Sequence, residues 1–159
     1  QRQMCIRDRN MLVDIGNGTM SILEIHDGRP IENSISTEVF GVHQCMEKIQ
    51  KEVSKHSGVD VSEMLIEPLL RNGIGDRTDA VAMTTKRVAE NYTVEIMKKL
   101  TAHGYREELV HLFIIGGGGC LLKNFFDLTA KSEVTVITDI CANAKGYEAL
   151  AMMKQRMRG

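Results

Sequence analysis

The sequence contains no tryptophan and only four phenylalanines and three tyrosines in 159 residues. So few rings leave little on which successive bases can stack, which argues against recognition of single-stranded nucleic acid. The four cysteines (Cys5, Cys45, Cys120 and Cys141) lie far apart with no CxxC pair. That spacing argues against a zinc site or a disulfide framework, and reduced thiols in a cytoplasm are the default. The five histidines (26, 43, 56, 103 and 111) never fall at metal-ligand spacing. No apolar run approaches the roughly 18 residues of a membrane helix, so no membrane span is expected. An excess of either charge is also missing: 20 basic against 21 acidic residues leave a net charge of -1. There is then no global case for nucleic acid or an acidic membrane as partner. What remains, 43% hydrophobic and 26% charged, is the make-up of an ordinary globular domain. A chain of this length buries about two-thirds of the surface it would expose unfolded.

The first nine residues stand apart. Gln1-Arg2-Gln3 is followed by Met4-Cys5-Ile6-Arg7-Asp8-Arg9 with no apolar period. That hexapeptide resembles a translated sequencing adapter; a short disordered tail is the alternative. On either reading residues 1–9 are set aside from the fold, and residues 10–159 form the domain. The remainder carries 17 basic and 20 acidic residues, a net charge of -3. The adapter reading also places the protein's true N-terminal part upstream of this chain.

Hydrophobic periodicity divides the rest. Met11–Ile15 and Met20–Ile25 read as strands joined across Gly16-Asn17-Gly18-Thr19, where glycine and asparagine allow positive φ. His26-Asp27-Gly28-Arg29 reads as an Asp-Gly hairpin turn, and Ile31–Val39 as a third strand. Val42, Cys45, Met46, Ile49 and Val53 then recur on one helical face that stops at Ser57-Gly58. A shorter helix from Ser62 is expected to be interrupted at Pro68 and closed by Asn72-Gly73-Ile74-Gly75. A long helix spans about Thr78 to His103 with Gly104 at its C-terminal end. Leu109–Ile115 is an apolar strand running into Gly116–Gly119, followed by a helix over Leu121–Ala130, a strand over Val134–Ile137 and a terminal helix over Ala142–Met157. The order β-β-β-α-α-α-β-α-β-α predicts an α/β domain, a mixed sheet with helices on both faces.

Two glycine segments carry the chemistry. At Asp14-Ile15-Gly16-Asn17-Gly18-Thr19 a hairpin can aim successive backbone N–H groups at one point, a nest for phosphate oxygens, and Thr19 adds a hydroxyl. The Asp14 carboxylate would repel phosphate unless a divalent cation or its waters lie between them, so the pairing implies Mg2+ chemistry. A tight turn with an Asx-type cap is the plainer alternative. Gly116–Gly119, between a buried strand and a helix, allows a phosphate or a flat ligand to approach; close strand–helix packing is the alternative there. Leu121 stands where the third glycine of GxGxxG belongs, and no GxxxxGK[ST] loop occurs, so neither common nucleotide fingerprint applies.

In order and spacing these segments resemble a known superfamily. Asp14–Thr19 resembles the second phosphate-binding hairpin of the actin, sugar-kinase and heat-shock-chaperone ATPases, and Ile114–Gly119 resembles their adenosine motif. Ala142-Asn143-Ala144-Lys145-Gly146-Tyr147-Glu148 resembles the second connecting segment of bacterial actin-like proteins. Within the superfamily the likeness is to ParM/StbA-type plasmid-segregation ATPases, over nearly all of residues 10–159 and corresponding to their C-terminal half.

The resemblance implies a ribonuclease H-like actin-type ATPase domain that binds ATP (or GTP) with Mg2+. Asp14 would position the metal-bound phosphates, through water, or the attacking water, and is the catalytic candidate. Gly16, Asn17, Gly18 and Thr19 would hold the β- and γ-phosphates. Gly117 and Gly118 would lie along the adenosine, with Gly116 and Gly119 shaping the loop and Gly41 near the ribose. Glu67 corresponds to a nucleoside-contacting Glu. It further implies a cytoplasmic protein whose full-length form self-associates into filaments, meeting DNA only through an adaptor and no membrane. Two departures are Asn17, where many relatives have Gly, and Ser21, where many have Asp. Because the superfamily's cleft lies between two domains, this half alone is expected not to hydrolyse ATP. The competing expectation is a fragment of a non-filamentous member, a sugar or acetate kinase or a chaperone-type ATPase.

Overall fold

A computed structural model describes residues 9–129, 131 and 133–137. The terminal helix expected over Ala142–Met157, the connecting-segment likeness at Ala142–Glu148 and residues 1–8 lie outside the described residues.

Strand β1 (Arg9–Ile15) alternates as a half-buried strand must: Met11, Val13 and Ile15 are buried, while Leu12 and Asp14 turn the other way. It pairs antiparallel with β2 (Met20–His26), Ile15 opposite Met20 and Arg9 opposite His26. The next turn forms as expected, with Asp27 at φ 50° and Gly28 at φ 72°, the two positive values that a two-residue type I′ turn requires.

The single strand expected over Ile31–Val39 is instead broken. Only β3 (Arg29–Pro30) and β4 (Ser36–Glu38) pair with β2, at opposite ends of its outer edge. Between them Asn33 takes φ 69°, and the Ser34 hydroxyl replaces a ladder partner, accepting from the Glu24 N–H at 3.1 Å and donating to the Ile31 carbonyl at 2.8 Å.

Helix α1 (Val42–Ser57) buries Cys45, Met46, Ile49 and Val53, as the periodicity predicts, and ends at Gly58 with φ 67°. Helix α2 (Glu63–Asn72) differs from expectation, running uninterrupted through Pro68. Pro68 costs the bond to the Met64 carbonyl four residues back, and Met64 sits on the solvent side, where water can take that oxygen. Helix α3 (Ala80–Ala102) is capped by Asp79, whose carboxylate accepts from the Ala82 N–H at 3.1 Å.

Strand β5 (His111–Ile115) lies parallel to β1, with Asp14 opposite Ile115, and β6 (Val134–Val136) lies parallel to β5. Between them the glycines that read as a loop are helical: α4 (Gly117–Phe125) begins within the glycine run, after Gly116 at φ 84°, and ends before Ala130. The sheet order is β3-β2-β1-β5-β6, with β4 also on β2. Met11, Val13, Ile15, Met20, Ile22, Leu112 and Ile114 share one core with the buried faces of α1 to α4. The other sheet face carries Leu12, Leu23 and Phe113, half-buried. No helix among the described residues is long and apolar enough to cross a membrane.

Candidate functional site

The parallel pairing of β1 and β5 decides where the two glycine segments meet. Both leave the sheet at the carboxyl ends of neighbouring strands, the end at which open α/β sheets bind ligands. Asp14 and Gly116 therefore come together. A Cβ built on Gly116 would stand 2.7 Å from Asp14 Oδ1 and 2.6 Å from the Ile15 carbonyl oxygen. Nothing larger than glycine fits beside the carboxylate, and positive φ makes the same demand.

The hairpin after β1 is fastened from below by α1. The Gly16 N–H donates to Thr19 O at 2.9 Å, Val42 N–H to Gly16 O at 3.1 Å and His43 N–H to Asn17 O at 2.8 Å. In addition, Gln44 takes the Gly41 N–H on Oε1 at 2.7 Å and donates from Nε2 to Gly18 O at 3.2 Å. Gly16, Asn17 and Gly18 are not among the residues with positive φ, so the backbone freedom expected of them is not what shapes the turn. Nor is space short there, since a Cβ would meet only Thr19 O at 3.6 Å on Gly16 and nothing within 4 Å on Gly18; it is Gly41 that is indispensable. A Cβ on Gly41 would lie 2.4 Å from Asn17 O and 2.7 Å from Gly16 O. Gly41 is itself pinned by α3, where the Tyr92 hydroxyl donates to Gly41 O at 2.8 Å and the Tyr92 ring stacks on Phe40 with centroids 4.4 Å apart. Burial pushes the Tyr92 phenol well above its ordinary value, so it remains a donor.

The glycines of α4 divide by direction. Gly118 packs on Ile15, where a Cβ would come within 2.3 Å of Cγ2, and Gly119 packs on Val136 at 3.1 Å. Both are buried, whereas Gly117 is exposed, with ordinary room (3.7 Å) to Val42. Gly117 and Asn17 line a cavity of about 430 Å³ whose other walls are Val42 and Met46 of α1, Glu63, Glu67, Leu70 and Arg71 of α2, and Cys120 and Leu121 of α4. This volume lies within the range of small-molecule and cofactor sites. Its polar lining includes the Glu67–Arg71 ion pair at 2.6 Å and Glu63, whose carboxylate lies 3.4 Å from His43 Nδ1 outside the cavity wall. Glu67 lines this cavity. Thr19 and Gly18 are exposed at the open side of the hairpin.

Sequence reasoning missed Gln44, Tyr92, Glu63 and Arg71. Gln44 alone had a readable signal: Gln three residues after a helix-start residue is the capping-box spacing. Among the described residues no group of three or more His, Cys, Asp or Glu side chains is arranged to hold a metal ion. One carboxylate beside an open nest is nevertheless the donor set suited to Mg2+, which keeps its waters and binds through one or two carboxylates and substrate phosphates.

Residues 12–127 match the family model of the archaeal actin homologue MreB-like C-terminal domain. No curated protein matches the sequence. Among solved structures, the archaeal actin homologue Ta0583 aligns with a TM-score of 0.73 at 20% identity, over 92% of this chain and 49% of that one. Its complex with ADP aligns with a TM-score of 0.70 over 92% and 50%. ParM of Bacillus thuringiensis with ATP aligns with a TM-score of 0.63 at 15% identity, over 84% and 42%. The chain therefore spans about half the length of these structures. At such identities the structures establish the shared fold, and the family match goes further: the chain belongs to the archaeal actin homologues of MreB-like type, matching their C-terminal domain.

Proposed function

We propose that this chain is the C-terminal nucleotide-binding half of a filament-forming actin-like ATPase of the plasmid-segregation (ParM/StbA) type, acting on Mg-ATP or Mg-GTP. The observation that carries the reading is the convergence of Asp14, the tethered hairpin and the Gly117 cavity at one end of the sheet. Two of the aligned structures were solved with nucleotide, Ta0583 with ADP and ParM with ATP.

In this reading the N–H groups of the hairpin and the Thr19 hydroxyl hold the β- and γ-phosphates, and Asp14 would hold Mg2+ through water or orient the attacking water. A cation held there would supply neutralisation of the phosphate charge. Gly117 leaves one wall of the nucleoside cavity bare of a side chain, and Glu67 stands at its rim. A second domain closes the cleft from the other side, so this half alone does not turn over ATP. The whole protein assembles into filaments in the cytoplasm and meets DNA only through an adaptor.

The deciding experiment is ATP-dependent light scattering by the whole protein, with phosphate release followed in parallel. Both signals are expected, and Asp14→Ala is expected to slow phosphate release at least 100-fold, in the range typical of lost catalytic groups. Turnover without scattering would instead favour a kinase or chaperone-type member. Loss of the source plasmid on deletion of the gene tests the segregation role, and normal retention would refute it.

A further inference from the structure

We infer that Gln44 is a positioning residue for the phosphate-binding backbone, an inference that rests on the nucleotide reading above and extends it to a side chain with no ligand contact of its own. Three consecutive carbonyl oxygens of the hairpin face α1. Gly16 O is held by the Val42 N–H, Asn17 O by the His43 N–H and Gly18 O by Gln44 Nε2, at 3.1, 2.8 and 3.2 Å. No peptide bond among the described residues is cis, and in a trans peptide the N–H lies opposite the C=O. Tying the three oxygens down therefore turns the N–H groups of Asn17, Gly18 and Thr19 the other way, toward the open side of the hairpin. Three successive N–H groups presented together make an anion-binding concavity.

The first two tethers are backbone groups at the start of a helix, where N–H groups lack intrahelical partners, and any sequence folded this way supplies them. The third exists only because residue 44 is glutamine. Its orientation is fixed: the Gly41 N–H at 2.7 Å demands the amide oxygen, which leaves the NH2 for Gly18 O. Glutamate completes a capping box as well as glutamine does, but here it would set a carboxylate oxygen against a carbonyl oxygen. The Gly18–Thr19 peptide would then lose the bond that aims the Thr19 N–H, while the cap on α1 survived.

Gln44→Glu and the uncharged Gln44→Met separate these roles when the whole protein is titrated calorimetrically with Mg-ATP and with adenosine. Both variants are expected to bind ATP about five- to tenfold more weakly, the worth of one hydrogen bond, with adenosine affinity unchanged. The Glu variant, which keeps the α1 cap, should melt no lower than the Met variant, which loses both bonds. In nucleotide-free protein, amide exchange at Gly16, Val42 and His43, whose N–H groups are bonded within or to the hairpin, should quicken in both. Wild-type ATP affinity in Gln44→Met, or a parallel loss of ATP and adenosine affinity, overturns the inference. A wild-type protein that binds neither ligand overturns the nucleotide reading instead. Gln44 is then judged by exchange alone, and unchanged hairpin exchange in Gln44→Met refutes the tether.

Discussion

Gly116 and Asp14, a hundred residues apart in sequence, are in such close contact that a single methyl group at 116 would sit 2.7 Å from the Asp14 carboxylate. The φ of 84° at Gly116 adds a second requirement for glycine. Gly116→Ala is therefore expected to lower unfolding free energy by at least about 2 kcal/mol and to weaken nucleotide binding with it. Urea unfolding followed by circular dichroism measures the first, and a midpoint within error of wild type would contradict it.

Gly117 should behave in the opposite way. Its Cβ would meet Val42 at an ordinary 3.7 Å, and its backbone is helical. Gly117→Ala is expected to stabilise the fold by about 0.4–1 kcal/mol through the unfolded chain's entropy, yet, on the proposed function, to weaken ATP and adenosine alike by narrowing the cavity it lines. Thermal melts and calorimetric titration of the same preparation give both answers. Stability and affinity rising together would show that Gly117 does not face the nucleoside.

Gly41→Ala isolates the joint between α1 and the hairpin. Gly41 has extended torsions open to any residue (φ -126°, ψ -166°), so the cost comes only from collision with the hairpin backbone, Asn17 O at 2.4 Å and Gly16 O at 2.7 Å. A loss of about 1–3 kcal/mol is expected, as for other overpacked sites, with faster amide exchange at Val42 and His43, whose N–H groups hold the hairpin. Unchanged exchange at those two amides would place the strain elsewhere.

Acid sensitivity should come partly from Glu38. Hydrogen bonds from Lys99 and His103 of the α3 end hold its carboxyl below its ordinary value of 4.5. A lowered folded-state value contributes stability that is complete above the ordinary value and is lost as pH falls through the folded one. Glu38→Gln should therefore be less stable than wild type at neutral pH, and the difference should shrink below about pH 4. Urea midpoints between pH 3 and 7 test this, and parallel curves would remove Glu38 from the account.

The two described cysteines should differ in reactivity. Burial pushes the Cys45 thiol up to about 12, so at pH 8 a thiol reagent is expected to reach it only on unfolding. Cys120 is half-buried and lines the cavity, and ATP is expected to slow its labelling. Mass spectrometry of labelled peptides separates them; equal labelling of Cys120 with and without ATP would argue against nucleotide in that cavity.

What could be read from the residues followed their local constraints. Asp27-Gly28 announced its turn because few other pairs tolerate two positive φ values, and α1 announced its face through Cys45, Met46, Ile49 and Val53. The broken edge was hidden because Ile31, Ile35 and Val39 look like a strand, although Ile35 and Val39 are 70% and 78% exposed. Nothing local says that Ser34 will take a ladder bond. Gly117–Gly119 read as a loop because glycine is a poor helix former; within the helix they form, Ile15 and Val136 leave little room for a side chain at 118 and 119, which is why glycine stands there. The meeting of Asp14 with Gly116 depended on parallel pairing of β1 with β5, which no single segment encodes.

The interrupted edge has a consequence for how copies of this domain can associate. A continuous outer strand would offer a neighbour a row of free backbone groups and invite sheet extension. Here Pro30, the left-handed Asn33 and the Ser34 hydroxyl divide that border into pieces of two and three residues. Copies that meet along this side must recognise one another by side chains, so an assembly built there can be remodelled by point substitution and taken apart without unpicking a shared ladder.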